Sequence, residues 1–317
     1  MSALEKTITV VIPLYNKAAH IVDTLKSILR QTTLPEEIII VDDGSTDNSV
    51  KTLESFLTGV RARCDIRIIK QKNGGVSKAR NTGIKHARSN FIALLDADDS
   101  WAPDYLAEIK ALMGSFPDAG AYATNYYKLE GDKFIVPKIR FTKNGKHTRI
   151  MNDYFEIAAR GDLPFMTSSI CIRRSVLLYL GGFQEGEPMG EDQDVWARLS
   201  LESSIAYSHK RVSHYHLDAT NRACNSNAPK EECPFSKRLK MAVQINQVKP
   251  NLRRHVLAYT ATHLLHLAKQ QIELGGFTEA ENLLADERCN LLMLKKLRLQ
   301  TKLAAYKMRG LVGRLVA

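Results

Sequence analysis

The stretch Phe91-Ile92-Ala93-Leu94-Leu95-Asp96-Ala97-Asp98-Asp99 decides the fold class of this 317-residue chain. Its five consecutive apolar residues predict a strand buried on both faces, as in a parallel sheet covered by helices. Three carboxylates follow directly, although clustered carboxylates repel one another and are costly to desolvate. Ligands of open parallel sheets bind outside the carboxyl ends of the strands. The stretch therefore predicts a site for a cation or a proton acceptor at the rim of such a sheet.

Two other acidic segments have the same character. Val41-Asp42-Asp43-Gly44-Ser45 ends the strand pattern Glu37 to Val41, and Gly190-Glu191-Asp192-Gln193-Asp194 precedes a helix pattern from Val195 to Glu202. We expect all three segments to face one crevice, which suits a metal-bound phosphate ligand. The alternative is helix capping, with Ser45 and the pair Asp99-Ser100 as the capping residues.

The first half of the chain alternates strand and helix patterns, which predicts an α/β fold with a mostly parallel, Rossmann-like sheet flanked by helices. An irregular polar stretch covers residues 138–164, and the pattern after Ser236 is helical without a strand signal. We therefore predict a first domain over residues 1–235 and an all-α region over residues 236–317. The predicted strands are Thr7 to Pro13, Glu37 to Val41, Ile66 to Lys70, Phe91 to Leu95, Ala121 to Lys128, Ser168 to Arg173 and a last one within Ala206 to Tyr215.

Composition favours a cytoplasmic protein. No window approaches the roughly 20 apolar residues of a membrane span, and the N-terminus lacks the pattern of a secretory signal. The five scattered cysteines lack CxxC spacing, which is typical of reduced thiols. An alternative for two of them is a zinc site with ligands His214, His216, Cys224 and Cys233, although the spacing matches no common zinc module.

The basic charge is concentrated in the helical region. Residues 236–317 hold 15 Lys and Arg against 5 Asp and Glu, a net charge of +10 out of +11 for the chain. Segments such as 295–299 and 307–312 mix cationic and apolar residues, which favours an anionic membrane surface, such as the inner face of the plasma membrane, as a partner. Aromatic residues for base stacking are nearly absent there, so nucleic acid is an unlikely partner. Residues 264–285 predict a helical hairpin, either plain or of the tetratricopeptide type.

The residue types at the predicted rim indicate the chemistry. Asp96 and Asp98 suit Mn²⁺ or Mg²⁺ and a ribose, and a histidine after the last strand adds a third metal ligand. Asp42 or Asp43 can accept an N–H from a base that lies against Tyr15. The turn Gly74-Gly75 opens a helix that carries Arg80, so its N–H groups can bind a phosphate. Neither GxGxxG nor GxxxxGK[ST] occurs, which leaves dinucleotide oxidoreductases and P-loop NTPases without support.

Five ordered motifs carry a family resemblance. They are Val11-Ile12-Pro13-Leu14-Tyr15-Asn16, Val41-Asp42-Asp43-Gly44-Ser45-Thr46-Asp47, Gly74-Gly75-Val76-Ser77-Lys78-Ala79-Arg80-Asn81, Leu95-Asp96-Ala97-Asp98-Asp99 and Glu191-Asp192-Gln193-Asp194-Val195-Trp196. Over residues 7–220 the chain resembles the family 2 glycosyltransferases of GT-A fold. The resemblance implies an inverting enzyme of hexosyl- or N-acetylhexosaminyltransferase type. Such an enzyme uses Mn²⁺ or Mg²⁺ and a nucleotide-diphospho-sugar, here a UDP-sugar, with a glycan or lipid-linked acceptor of cell-surface polysaccharide or lipopolysaccharide type.

The resemblance also implies roles for single residues. Pro13, Tyr15, Asp42 and Asp43 would hold the nucleoside, with Arg80 near the nucleotide. Asp96 and Asp98 would form the Asp-x-Asp motif, with Asp98 the nearer metal ligand. Asp192 would be the catalytic base, and His216 would complete the metal site. A competing interpretation from another class is a nucleotide-binding module, attached to a membrane surface or to nucleic acid, without transferase activity.

Overall fold

The computed structural model describes residues 5–141, 147–219 and 229–315, with side chains to Met308. The chain divides into two compact units. The first contains residues 1–152 and 163–221, and the second contains residues 153–162 and 222–317.

The first unit is built on a ten-stranded sheet with the order β3-β2-β1-β4-β9-β6-β10-β5, in which β7 pairs with β6 and β8 pairs with β10. The strands are β1 (Ile8–Leu14), β2 (Glu37–Asp42), β3 (Asp65–Lys70), β4 (Phe91–Leu94), β5 (Ser100–Trp101), β6 (Ala121–Glu130), β7 (Lys133–Ile135), β8 (Thr148–Met151), β9 (Ile170–Arg173) and β10 (Ile205–His216). The helices are α1 (Ile21–Leu29), α2 (Ser49–Thr58), α3 (Val76–His86), α4 (Tyr105–Ser115), α6 (Arg174–Tyr179) and α7 (Glu191–Glu202).

The mostly parallel α/β sheet predicted from the sequence is confirmed. Strands β3, β2, β1 and β4 are mutually parallel, and β6 is parallel to β10. Strands β1, β2 and β4 are buried along their whole length, which explains their mostly apolar sequences. The difference lies at the centre, where β9 is antiparallel to both β4 and β6.

Register brings the carboxyl ends of the central strands to one edge. Leu14 of β1 lies opposite Asp42 of β2, and Val11 of β1 lies opposite Leu94 of β4. The residues that follow β1, β2 and β4 therefore emerge at the same rim of the sheet. This rim is where the sequence predicted the ligand site.

The observed helix starts show that the alternative interpretation of the acidic segments as helix caps is wrong for Ser45 and Ser100. Helix α2 begins at Ser49 with Asn48 at its N-cap position, and α4 begins at Tyr105 with Asp104 at that position. Ser45 and Ser100 are therefore not helix caps, and Ser100 instead begins the short strand β5. Helix α7 starts four residues earlier than predicted, at Glu191, so the acidic segment forms its first turn.

The second unit is helical, as the sequence predicted for the C-terminal region. It contains α5 (Tyr154–Ala158), α8 (Pro234–Gln244), α9 (Pro250–Leu274), α10 (Phe277–Ala285) and α11 (Met293–Leu315). Gly275 has a φ of +82° and ends α9, so α9 and α10 form the predicted hairpin. Buried Arg288 is paired with Asp286 and Glu232. None of the helices in the described ranges is long and apolar enough to cross a membrane.

Candidate active site

The residues predicted to hold a nucleoside lie at the ends of β1 and β2. Pro13 is buried within β1 opposite Val41, whereas Tyr15 just beyond the strand is 46% exposed. Asp42 ends β2, and its carboxylate accepts a hydrogen bond from the Ser45 backbone N–H at 3.1 Å. The Tyr15 ring is thus the open aromatic surface at this part of the rim.

Asp43 has a different environment from Asp42. Its carboxylate accepts hydrogen bonds from the backbone N–H groups of Gly74 and Gly75, at 2.9 and 2.8 Å, and from the Gln71 side chain at 2.7 Å. The expectation that the N–H groups of the Gly74-Gly75 turn bind a phosphate is therefore not met, because the Asp43 carboxylate already accepts them. Asp43 fixes the start of α3 relative to β2.

The loop after β1 is fastened to the loop after β2. Asn16 has a φ of +52°, and its side-chain oxygen accepts the backbone N–H of Thr46 at 2.8 Å. The backbone N–H of Lys17 donates to the Ser49 hydroxyl at 2.8 Å. These bonds hold the first residues after β1 in place beside the rim.

Arg80 joins the Asp-x-Asp segment to the start of α7. Its guanidinium is only 4% exposed and donates to Asp96 at 2.8 Å and to Glu191 at 2.9 Å. The Phe183 ring lies 5.1 Å from the guanidinium carbon. Burial alone would lower the pKa of Arg80, but Asp96 and Glu191 hold it above its ordinary value, so the cation is permanent. Asp96 and Glu191, which are 95 residues apart in sequence, thus meet on one buried cation.

Asp192 lies in this cluster as well. Burial raises its pKa to about 7, and the neighbouring charge of Glu191 adds to the rise, while Arg80 opposes it. Asp96, which shares Arg80 with Glu191, also contributes to the rise. A carboxyl with a pKa near neutrality is suited to accept a proton in the physiological pH range.

Asp98 is paired with Lys17. The ammonium Nζ lies 2.6 Å from a carboxylate oxygen, and the two side chains are 12% and 16% exposed. Asp98 also lies close enough to His216 to act on its ionisation, although burial is the main cause of the lowered His216 pKa. Asp98, Lys17 and His216 therefore lie near one another at the rim of the sheet.

The third aspartate of the segment is structural. Asp99 is 2% exposed, accepts the hydroxyl of Ser168 and accepts the backbone N–H of His216 at 3.1 Å. The Ser168 hydroxyl also accepts the backbone N–H of Asp96 at 3.1 Å, while its carbonyl accepts from the side chains of Trp101 and Ser213. Ser168 therefore fixes the Asp-x-Asp segment against β10, a role that no sequence motif had indicated.

The two histidines of β10 share a partner. His216 Nε2 lies 2.9 Å from the Ser100 hydroxyl, and His214 Nδ1 lies 3.5 Å from it. Burial lowers the pKa of both rings, which keeps them neutral and able to bind a metal. The alternative zinc site includes Cys224, which lies outside the described residues.

The donor set at the rim fits a hard divalent ion that is shared with a substrate. Among the side chains described up to Met308, no three His, Cys, Asp or Glu are grouped closely enough to hold a metal by themselves. Mg²⁺ and Mn²⁺ usually bind through one or two carboxylates and complete their coordination with water and substrate phosphates. Asp98 with His216 beside it is such an incomplete set.

Comparison with known proteins gives the family. The model for glycosyl transferase family 2 matches residues 9–179, more than half of the chain. The chain belongs to glycosyl transferase family 2. The Asp-x-Asp segment with its surroundings is therefore its candidate active site.

Curated relatives and solved structures agree with the assignment of the chain to family 2. The minor teichoic acid biosynthesis protein GgaA of Bacillus subtilis is 30% identical over 199 residues, which are 61% of this chain and 43% of that protein. The chain spans less than half the length of the curated relatives that it matches.

Two solved structures share the fold. S. aureus TarS 1–349 in complex with UDP-GlcNAc has a TM-score of 0.65 at 18% identity, over 95% of this chain and 92% of that one. The mannosyltransferase PcManGT from Pyrobaculum calidifontis, in complex with GDP-Man and Mn²⁺, has a TM-score of 0.56 at 17% identity, over 97% and 89% of the two chains. At these identities the likeness establishes the fold, which is of GT-A type.

Proposed function

We propose that this glycosyltransferase transfers a sugar from a nucleotide-diphospho-sugar to a hydroxyl group of a glycan or lipid-linked acceptor, with inversion at the anomeric carbon. The observation that carries the proposal is the Arg80 bridge, which joins Asp96 of the Asp-x-Asp segment to Glu191 beside Asp192. The bridge brings the Asp-x-Asp segment, which would bind the donor, next to Asp192, which would accept the proton.

Asp192 is the proposed base. The acceptor hydroxyl loses its proton to the Asp192 carboxylate while its oxygen attacks the anomeric carbon. The bond from that carbon to the leaving diphosphate breaks on the opposite side, so the configuration inverts. With a pKa of about 7, Asp192 is substantially ionised at neutral pH and still basic enough to take the proton.

The donor's nucleotide end is assigned to the β1 and β2 ends. Tyr15 would lie against the base, and Asp42 with Pro13 and the Asp43-fixed turn would bound the nucleoside pocket. A UDP-sugar is the favoured donor, in line with the UDP-GlcNAc in the TarS structure, which shares this fold.

Asp98 is the proposed protein ligand of Mn²⁺ or Mg²⁺, with His216 and Asp96 beside it. A bound divalent ion would stabilise the negative charge that develops on the leaving diphosphate. Arg80 would keep its place when the metal binds, because Asp96, Glu191 and the Phe183 ring hold its guanidinium.

A panel of nucleotide-sugars, with and without Mn²⁺, tests the proposal through binding and donor hydrolysis. We expect one UDP-sugar to bind and be slowly hydrolysed, and Asp192→Asn to lower the turnover about 10²–10⁴-fold with little change in donor affinity. The matched control is Asp118→Asn, an exposed carboxylate before β6. Full turnover by Asp192→Asn would refute the base assignment, and absence of donor binding in the whole panel would favour the binding-module alternative.

We further propose that the C-terminal helices hold the enzyme at an anionic membrane surface, where a lipid-linked acceptor is available. The support is helix α11, on which Leu294 and Leu297 are 74% and 50% exposed among lysines and arginines. Each Lys or Arg near such a surface adds about 1 kcal/mol of attraction. The variant with Leu294→Gln and Leu297→Gln should bind vesicles containing anionic lipid several-fold more weakly, as measured by co-sedimentation. Equal binding of both proteins would contradict the attachment.

A further inference from the structure

The ion pair between Lys17 and Asp98 suggests how metal and donor binding are coupled, an inference that rests on the proposed metal role of Asp98 and goes beyond it. Its Nζ lies 2.6 Å from the Asp98 carboxylate, at the residue that the proposed function assigns to the divalent ion. An ammonium at one oxygen of this carboxylate repels a divalent ion bound to the same group, since charges a few Å apart interact strongly near a protein surface. The Lys17 ammonium in this position therefore opposes binding of a metal to Asp98.

The backbone of Lys17 is held by hydrogen bonds to the loop after β2. Its backbone N–H is held by the Ser49 hydroxyl at 2.8 Å, and the preceding Asn16 is tied to Thr46. The backbone at Lys17 is thus fixed beside the rim, and the side chain reaches Asp98 from there. A lysine ammonium is a compact point charge on a flexible stem, so it can change partners without losing a fixed hydrogen-bond geometry.

Arg80 shows the opposite arrangement at the same site. Its planar guanidinium is held by Asp96, by Glu191 and by the Phe183 ring, and it is 4% exposed. Of these two cations beside the Asp-x-Asp segment, Arg80 is a fixed structural charge and Lys17 is suited to exchange.

We propose that Lys17 is a positioning residue that occupies Asp98 in the metal-free enzyme and passes to the diphosphate of the donor when the donor and the metal bind together. In the absence of donor, Lys17 competes with the metal for Asp98 and weakens metal binding. When the donor arrives, its diphosphate gives the ammonium a new partner, and Asp98 becomes available to the metal. Metal and donor binding are thereby coupled, and the chain resists loading with metal alone.

The coupling has a thermodynamic signature. If UDP raises the affinity for Mn²⁺ by some factor, Mn²⁺ must raise the affinity for UDP by the same factor. Removal of the Lys17 charge should strengthen Mn²⁺ binding without nucleotide by about 5–10-fold and reduce the coupling factor correspondingly, within the usual span of about 5–150-fold. It should also weaken UDP binding in the presence of Mn²⁺.

The experiment measures free Mn²⁺ by electron paramagnetic resonance in titrations of the full chain, with and without UDP. Lys17→Met removes the charge and keeps the length of the side chain, and Lys17→Arg keeps the charge. Lys26→Met, on the exposed part of α1, is the matched control. We expect tighter Mn²⁺ binding without UDP for Lys17→Met and wild-type behaviour for Lys26→Met. Lys17→Arg keeps the charge and should therefore bind Mn²⁺ without UDP no more tightly than the wild type. Circular dichroism confirms that each variant is folded.

The outcomes separate the two proposals. Unchanged or weaker Mn²⁺ binding by folded Lys17→Met overturns the Lys17 inference, while the metal role of Asp98 stands if Asp98→Asn loses Mn²⁺. Mn²⁺ binding that survives in Asp98→Asn, with or without UDP, overturns the metal role itself and the Lys17 inference with it.

Discussion

Replacement of Asp192 by Asn is expected to stabilise the protein increasingly as the pH rises from 4 to 7. The Asp192 carboxyl has an ordinary pKa of 3.8, which burial and Glu191 raise to about 7 in the folded protein. Below pH 4 the carboxyl is protonated in both the folded and the unfolded chain. Between pH 4 and 7 the unfolded chain ionises and the folded protein does not, so the free energy of unfolding falls as the pH rises.

The size of the effect follows from the difference in pKa. About three pH units at about 1.4 kcal/mol each give an upper value of about 4 kcal/mol. Because Asp192 shares its surroundings with Glu191, Asp96 and Arg80, we expect about 2–4 kcal/mol. Urea denaturation of both proteins from pH 4.5 to 8.5, with chelator and without nucleotide, measures it. The increase in the free energy of unfolding of Asp192→Asn over the wild type should be small at pH 4.5 and constant above about pH 7.5.

The same ionisation governs the activity. The kcat/KM of the wild type should rise about tenfold per pH unit below pH 7 and level off above it. Asp118→Asn, whose side chain is exposed, is the matched control in both measurements. A stability gain of Asp192→Asn that is the same at all pH values, or wild-type activity that is flat from pH 5 to 8, would show that Asp192 does not have a raised pKa in the folded protein.

Three further changes test the scaffold of the site, each by urea denaturation. Arg80→Met should lower the free energy of unfolding by about 3–5 kcal/mol, because two carboxylates lose their buried partner; a loss below 1 kcal/mol would contradict the bridge. Gly44→Ala should cost about 1–2 kcal/mol, because Gly44 has a φ of +73°, whereas Gly59→Ala, at a negative φ, should cost less. Ser168→Ala should cost about 1–3 kcal/mol, because the buried Asp99 carboxyl loses its hydroxyl partner; a neutral effect would contradict that role.

The sequence predicted the parallel part of the fold well because its signal is local. Strands β1, β2 and β4 are buried on both faces, so each is a short apolar run that needs no knowledge of its neighbours. The antiparallel placement of β9 was not predicted, because its pairing with β4 and β6 depends on segments some 50 to 80 residues away. A strand as short as β9, with three apolar residues and Arg173, gives no sequence signal of its direction.

For the site as well, local features were predicted from the sequence and long-range contacts were not. The acidic motifs were recognisable because their residues are contiguous and follow strands. The contacts that give them their character are not local: Lys17 and Asp98 are 81 residues apart, and Arg80 and Glu191 are 111 residues apart. No sequence signal showed that the Asp43 carboxylate binds the Gly74-Gly75 turn, or that Arg80 is a buried bridge.

The central position of β9 has a consequence for biosynthesis. A ribosome that has released β1 to β4 has produced a sheet whose β4 edge has no neighbour until residues 170–173 emerge. An unpaired edge beside an apolar strand invites aggregation, so this half-made chain is the vulnerable species. Fragments that end before residue 170 should accordingly be insoluble, and premature termination would yield no partly active enzyme.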